Sequence, residues 1–300
     1  MGSQYNDSSG VFIGPGDDAG LFTAKKTDLI FSTDVSNSEI HFPKNLEPDL
    51  IAYRSCCVAA SDIPACGGTL KWLSISLVTP TNKLSWLKKF AKGVRLFTKS
   101  YKIPVIGGDL IRGKECSVSV GVCGEINQKD FLSRDGAKVG DSIYISGKLG
   151  LAKLGLKLIT SRKKNLSKIE QTYQNKFLKP KVHTLLGKNL RKIANSCIDI
   201  SDGLVGDLGH ICTQSGLGAE IDVEYVPFAG EYKEALTWGD DYELCFTVPE
   251  NKVKKLVEVS KRIKTKIYKI GKITKKQGIR IYHQRKEIFI ENQSYNHLSK

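Results

Sequence analysis

Residues 72–109 read WLSISLVTPTNKLSWLKKFAKGVRLFTKSYKIPVIGGD, and their periodicity decides the fold class. From Leu73 to Val78 apolar and polar residues alternate, the period of a strand, and Pro80 closes the run. Leu84, Leu87, Ala91, Val94, Thr98 and Tyr101 then recur at steps of three and four, which predicts an amphipathic helix. Ile103-Pro104-Val105-Ile106 reads as the next strand, ended by Gly107-Gly108-Asp109. Strand, helix, strand in succession marks an α/β chain.

Outward from this stretch the alternation continues. Leu29-Ile30-Phe31 is a short apolar run ending at Ser32-Thr33-Asp34, and Pro48 suits the first turn of a helix reaching about Ser61. Ser117–Val122 reads as a strand. A second series opens near Asp141, with a strand at Ile143-Tyr144-Ile145 and helices from Leu149 to Thr160 and from Pro180 to Ala194. Leu204, Leu208 and Ile211 mark another helix, closed by Gly216; Leu244–Val248 and Ile267–Ile273 are further strands. The break near Arg134-Asp135-Gly136 predicts two α/β domains, 1–135 and 136–300. The pattern leaves parallel and mixed sheets open.

Composition narrows the function classes. A hydrophobic content of 40% and a charged content of 26% suit a globular chain, and 300 residues suffice for two cores. No apolar run approaches a membrane span and the N-terminus lacks a signal-peptide core, so a soluble cytoplasmic protein without a membrane partner is expected. The eight cysteines form no C-x-x-C pair and sit in apolar segments, which argues against a zinc site or a disulfide framework. The formal net charge is +15, but the lysines concentrate in Arg162–Lys181 and Asn251–Lys276, which read as solvated helix faces and connectors. No aromatic-interleaved basic motif of the RNA-binding kind appears, so attraction of phosphorylated small molecules is preferred to nucleic-acid binding.

The acidic residues gather at strand ends and in glycine-rich turns: Gly16-Asp17-Asp18, Ser32-Thr33-Asp34, Ser61-Asp62, Gly107-Gly108-Asp109, Asp199-Ile200-Ser201-Asp202-Gly203 and Gly239-Asp240-Asp241. One such site is readily a plain turn, because aspartate bonds its own backbone. Six in one chain point to carboxylates that a cation must compensate. Magnesium fits, since it takes oxygen ligands and is held by a few carboxylates together with substrate phosphates. No P-loop, protein-kinase motif set or Gly-x-Ser-x-Gly elbow is present. His183, His210 and His283 read as surface or packing residues; His41, in the loop after Asp34, is the histidine to watch.

These motifs, with Arg134-Asp135-Gly136-Ala137 and Asp241-Tyr242-Glu243-Leu244-Cys245, make the chain from about Ile13 onward resemble the thiamine-monophosphate kinase family. That family belongs to the aminoimidazole ribonucleotide synthetase-like ATP-binding superfamily. The resemblance implies an α/β (α+β) fold of two domains, mixed sheets packed with helices, an N-terminal sheet that forms a homodimer, and ATP between the domains. It implies magnesium-dependent transfer of the ATP γ-phosphoryl group to thiamine monophosphate. Asp18, Ser32, Thr33, Asp34, Asp62, Asp109, Asp199 and Asp202 match magnesium positions. Gly108, Arg134 and Ser201 match nucleotide contacts, and His41, Asp240 and Tyr295 match substrate contacts. Asp34, Asp109 and Arg134 are the expected catalytic residues.

Departures from the family pattern are Pro15 in Gly14-Pro15-Gly16, a short polar start in place of a helix, and Trp238-Gly239-Asp240-Asp241 where Gly-Gly-Glu-Asp is usual. Trp238 is read as packing rather than as the wall of a ring site. Two other readings stay open: a cousin acting on another phosphorylated substrate (a selenophosphate or purine synthetase), and a basic nucleic-acid-binding protein whose aspartates merely form turns.

Overall fold

The computed structural model describes residues 28–291 and 294, and the backbone of residues 11–13 and 20–23. The chain divides into two compact units. The first holds Met1–Pro64, Gly68–Lys129 and Leu178–Thr184; the second holds Ala65–Gly67, Asp130–Phe177 and Leu185–Lys300. No helix among the described residues is long and apolar enough to cross a membrane.

Unit 1 contains β1 (Val11–Ile13), β2 (Gly20–Thr23), β3 (Asp28–Asn37), α1 (Pro48–Ala65, whose last residue falls in unit 2), β4 (Thr69–Thr79), α2 (Leu84–Tyr101), β5 (Val105–Arg112) and β6 (Ser117–Ile126). Its six-stranded sheet has the order β1-β2-β3-β6-β4-β5. Every pairing is antiparallel except β4 with β5, the pair that α2 connects, as a parallel crossover requires. The strand, helix, strand reading of residues 72–109 is therefore correct in kind, and α2 begins and ends where its period predicted.

Two expected strand ends lie inside strands. Ser32-Thr33-Asp34 is the middle of β3, pairing with Val122, Gly121 and Val120 of β6, and Gly107-Gly108-Asp109 is the middle of β5. Cross-strand hydrogen bonding carries polar residues and glycine into a strand that local propensity would stop. On β3 the side chains alternate. Ile30, Ser32, Asp34 and Ser36 face one way, and Phe31, Thr33 and Val35 face the other. The first face is packed by α1, whose Ile63 reaches Gly124 beside Ile30. The second carries exposed Phe31 and Val35, with the rings of Phe31 and Trp72 6.3 Å apart. At the sheet edge β5 is exposed along its length, and Ile106, Leu110 and Ile111 keep 57%, 54% and 53% of their surface in solvent.

Unit 2 contains β7 (Ser142–Ile145), α3 (Leu151–Thr160), α4 (Lys168–Leu178, which ends in the segment belonging to unit 1), α5 (Thr184–Leu190), β8 (Ser196–Asp199), α6 (Leu204–Gln214), β9 (Gly218–Asp222), α7 (Tyr232–Thr237), β10 (Leu244–Val248), α8 (Val253–Arg262), β11 (Tyr268–Thr274), β12 (Gly278–His283) and β13 (Lys286–Ile288). The seven-stranded order is β13-β12-β9-β11-β7-β10-β8, with β12 and β9 the parallel pair. Both sheets are mixed. One core joins β7, β8, β9 and α6 through Ile143, Ile198, Ile221, Leu204 and Leu208; another joins α5 and α8 through Leu186, Leu190 and Leu256.

The helix expected from Pro180 to Ala194 is shorter, spanning Thr184–Leu190. The residues before it belong to unit 1, where the N–H of Val182 donates to Tyr101 Oη at 3.2 Å, and Lys192 turns the chain with φ 61°. The lysine-rich stretches include α4 and α8, with β11 in the second stretch carrying on the sheet.

Candidate active site

In unit 1 the sheet face covered by α1 brings expected ligands together. Ser32 and Asp34 share it, and the Ser32 hydroxyl donates to Oδ2 of Asp62 on α1. His41 follows β3. Its Nδ1 accepts the N–H of Asn37 at 3.0 Å, which places the ring proton of neutral His41 on Nε2. Behind it, buried Arg54 donates through Nε to the His41 carbonyl at 3.3 Å. Thr33 alternates onto the opposite face. By register Asp109 joins it there, since Asp109 lies in the row of Ser76, Ser119 and Val35. Asp109 is exposed, and its Oδ1 accepts the N–H of Leu110 at 2.8 Å. Gly108 serves close approach, because a Cβ there would stand 2.0 Å from the Ile75 carbonyl oxygen. Asp18 and Tyr295 lie outside the described residues.

In unit 2 the site forms where β8 ends and α6 begins. Asp199 closes β8 and is buried; Ser201 and Asp202 follow, half-buried, and Gly203 precedes α6. The backbone of Asp202 is held by Asp207, a buried carboxylate in the first helical turn that accepts its N–H at 3.1 Å. His210, read from sequence as a surface or packing residue, is exposed on α6. Partial burial, and after it the charge of Arg134, hold the His210 imidazole below its usual range, while Asp202 opposes them.

The segment 238–243 lies along this strand end as an added rung. Asp240 N–H donates to the Ser201 carbonyl and Tyr242 N–H to the Ile200 carbonyl, both at 2.8 Å, and Ile200 N–H donates to the Glu243 carbonyl at 2.7 Å. This sets Asp240 beside Ser201. Gly239 is required for that approach, since a Cβ would meet the Ser201 carbonyl oxygen at 1.7 Å. The Tyr242 hydroxyl donates to Asp240 Oδ1 at 3.4 Å. Trp238 is half-buried rather than a core residue, and the Lys153 ammonium lies 4.3 Å from its ring centroid. Asp241 turns inward and is wholly buried. Burial pushes its carboxyl up to about 7, while the N–H groups of Gly150 and Ala152 and the charge of Lys176 pull the other way.

The donor set at both places is oxygen, the chemistry magnesium takes. Among the described residues no three carboxylate, histidine or cysteine side chains converge on one point. Magnesium needs only one or two carboxylates when phosphates and water complete its shell, so the pairs present fit it. The cysteines offer no nucleophile: all eight are buried free thiols, and burial pushes Cys56 up to about 12 and Cys212 up to about 11.

The family model described as AIR synthase related protein, N-terminal domain, matches residues 16–126, and the corresponding C-terminal domain matches residues 138–284. Thiamine-monophosphate kinase of Buchnera aphidicola subsp. Schizaphis graminum (strain Sg) is 38% identical over 299 residues, covering 95% of this chain and 92% of the relative. Among solved structures, AaThiL complexed with AMPPCP and TMP matches with a TM-score of 0.82 at 30% identity, over 94% of this chain and 91% of that one. Thiamine-monophosphate kinase from Stenotrophomonas maltophilia K279a matches with a TM-score of 0.81 at 31% identity, over 92% of each chain. Shared sequence along nearly the whole length and a shared fold in both units lead to one conclusion: the chain belongs to the thiamine-monophosphate kinase family of AIR synthase related proteins.

Proposed function

We propose that this chain transfers the γ-phosphoryl group of ATP to thiamine monophosphate, releasing thiamine diphosphate and ADP, with magnesium as the metal. The observation that carries the reading is the 38% identity to a thiamine-monophosphate kinase over 95% of the chain. The solved relative complexed with AMPPCP, an ATP analogue, and TMP supports the same pair of substrates.

The chemistry suits the residues. The acceptor is already a phosphate with an ionised oxygen near neutral pH, so no general base is needed, and catalysis is positioning plus electrostatics. Magnesium, when bound, screens the repulsion between the two phosphates. Asp18, Ser32, Asp34 and Asp62 are proposed to hold it in unit 1, and Asp199 and Asp202 in unit 2. Thr33 and Asp109, which share the other sheet face by register, form a further oxygen-donor pair. Gly108 and Ser201 approach the nucleotide through backbone and hydroxyl. Arg134 steadies phosphate oxygens by charge-assisted hydrogen bonds. His41, Asp240 and Tyr295 recognise the acceptor.

Incubation with ATP, magnesium chloride and thiamine monophosphate is expected to yield thiamine diphosphate and ADP in equal amounts, followed by chromatography, and EDTA is expected to stop it. Nucleotide binding without any thiamine diphosphate would rule the assignment out.

We further infer that a second copy of this chain covers the open sheet face of unit 1. Exposed Phe31, Val35 and Ile111, with Trp72 beside Phe31, give that face an apolar patch, and the bare edge of β5 adds Ile106. The wild type is expected to sediment as a dimer and the Val35→Glu/Ile111→Glu variant as a monomer. A wild type that is monomeric at micromolar concentration contradicts the inference. Free, buried thiols at all eight cysteines suit a reducing compartment, the cytoplasm.

A further inference from the structure

We propose that α3 and α4 act as the positioning element of the acceptor loop, through Asp241 and Glu243, so that their contacts set where Asp240 meets thiamine monophosphate. The proposal rests on the kinase reading above and adds residues that the family resemblance did not assign a role.

Along 238–243 the side chains divide. Asp240 remains partly accessible, whereas Asp241 and Glu243 are buried carboxylates directed into unit 2. Asp241 Oδ2 accepts the N–H of Gly150 at 2.8 Å, at the residue that caps the start of α3. Its Oδ1 has no hydrogen-bond partner. Glu243 takes the Ser146 hydroxyl on Oε2 at 2.5 Å and the ammonium of Lys176, from α4, on Oε1. Ser146 Oγ also accepts the N–H of Leu244 at 2.8 Å. Gly147 leaves the space that this carboxylate fills, since a Cβ there would lie 2.3 Å from the Glu243 carboxyl carbon. A third anchor comes from α3, where Lys153 lies over Trp238 and pairs with Glu234 at 3.1 Å.

Residues 146–176 thus grip the loop at Trp238, Asp241 and Glu243, on either side of Asp240. Apolar packing would hold a loop at least as firmly as buried charges. Directional hydrogen bonds do something packing does not, fixing register and orientation. Here the register is the rung that sets Asp240 beside Ser201.

Three variants test this. Lys176→Met breaks the Glu243 pair; Lys176→Met/Glu243→Gln removes both charges and preserves the fold where the single change does not; Lys163→Met removes an exposed ion pair on the same excursion as a control. Lys176→Met is expected to raise the KM for thiamine monophosphate roughly tenfold while moving the KM for ATP less than about twofold. It is also expected to speed amide exchange in peptides covering 238–244 roughly fivefold, with α8 and the Lys163→Met protein unchanged. Equal increases in both KM values, or unchanged exchange in a folded Lys176→Met or double variant, overturn the proposal. Exchange is read without turnover, so the anchoring is tested even where thiamine monophosphate proves not to be the acceptor.

Discussion

Replacing Asp62 with asparagine is expected to lower turnover about a thousandfold, the scale seen when one preorganised charge-stabilising group is lost from a transition state. The side chain sits on α1 and takes the Ser32 hydroxyl, so it is fixed against the strand that also presents Asp34 on the same face. Asparagine keeps the shape and can still accept that hydroxyl, but loses the negative charge that a divalent cation requires. The fold should therefore survive, with a thermal midpoint within a few degrees of wild type by the usual scale for a conservative change at a partly exposed position. Raising magnesium should recover part of the rate, because the defect lies in metal affinity. A variant with wild-type turnover and unchanged magnesium dependence would remove Asp62 from the proposed metal set.

The second large effect concerns pH and stability, and it centres on Asp241. Its carboxyl is raised from the ordinary 3.8 to about 7, chiefly by complete burial. Below about pH 4 both the folded and unfolded chains hold this proton, and the group's contribution to stability is fully present. As pH rises toward 7 the unfolded chain releases the proton while the folded chain retains it, so stability falls; above about 7 the loss is complete. Over that span the shift corresponds to about 4 kcal/mol. Other carboxylates slope the opposite way, since Lys163 and Lys272 hold Glu170 and Glu220 below the ordinary range. The measurement is therefore a difference: urea unfolding of wild type and Asp241→Asn from pH 4 to pH 8. The variant is expected to gain stability relative to wild type with each step upward to pH 7 and to level off beyond it. Parallel curves would show that Asp241 titrates in the folded protein as it does in the unfolded chain.

Particular elements show what could be read before folding. α2 was legible to the residue because its apolar positions repeat at 3.6 and nothing else in the window competes. β10 was legible because a run of four apolar residues and Thr247 is closed by Pro249. β3 and β5 were read short because Ser32-Thr33-Asp34 and Gly107-Gly108-Asp109 are poor strand formers, and their strand character comes from partners on β6 and β4. α5 was read long because the 180–184 segment is drawn off by contacts with Tyr101 that lie far away in sequence.

The candidate site divides along the same line. The letters alone carry the chemical kinds: aspartates beside glycines, serines and threonines that supply oxygen donors, an Asp-Tyr-Glu-Leu block, and thiols too apolar in context to react. They also carry element types wherever the period is unambiguous, because periodicity is a property of neighbours along the chain. Which carboxylates share a face belongs to the folded sheet. Ser32 meets Asp62 across thirty residues, Thr33 turns away to the face of Asp109, and Asp241 and Glu243 leave the solvent for Gly150, Ser146 and Lys176. Strand alternation reverses direction with each residue, and register is set by pairing between distant segments. No local pattern carries that information, so the site's partnerships emerge only once the strands are in place.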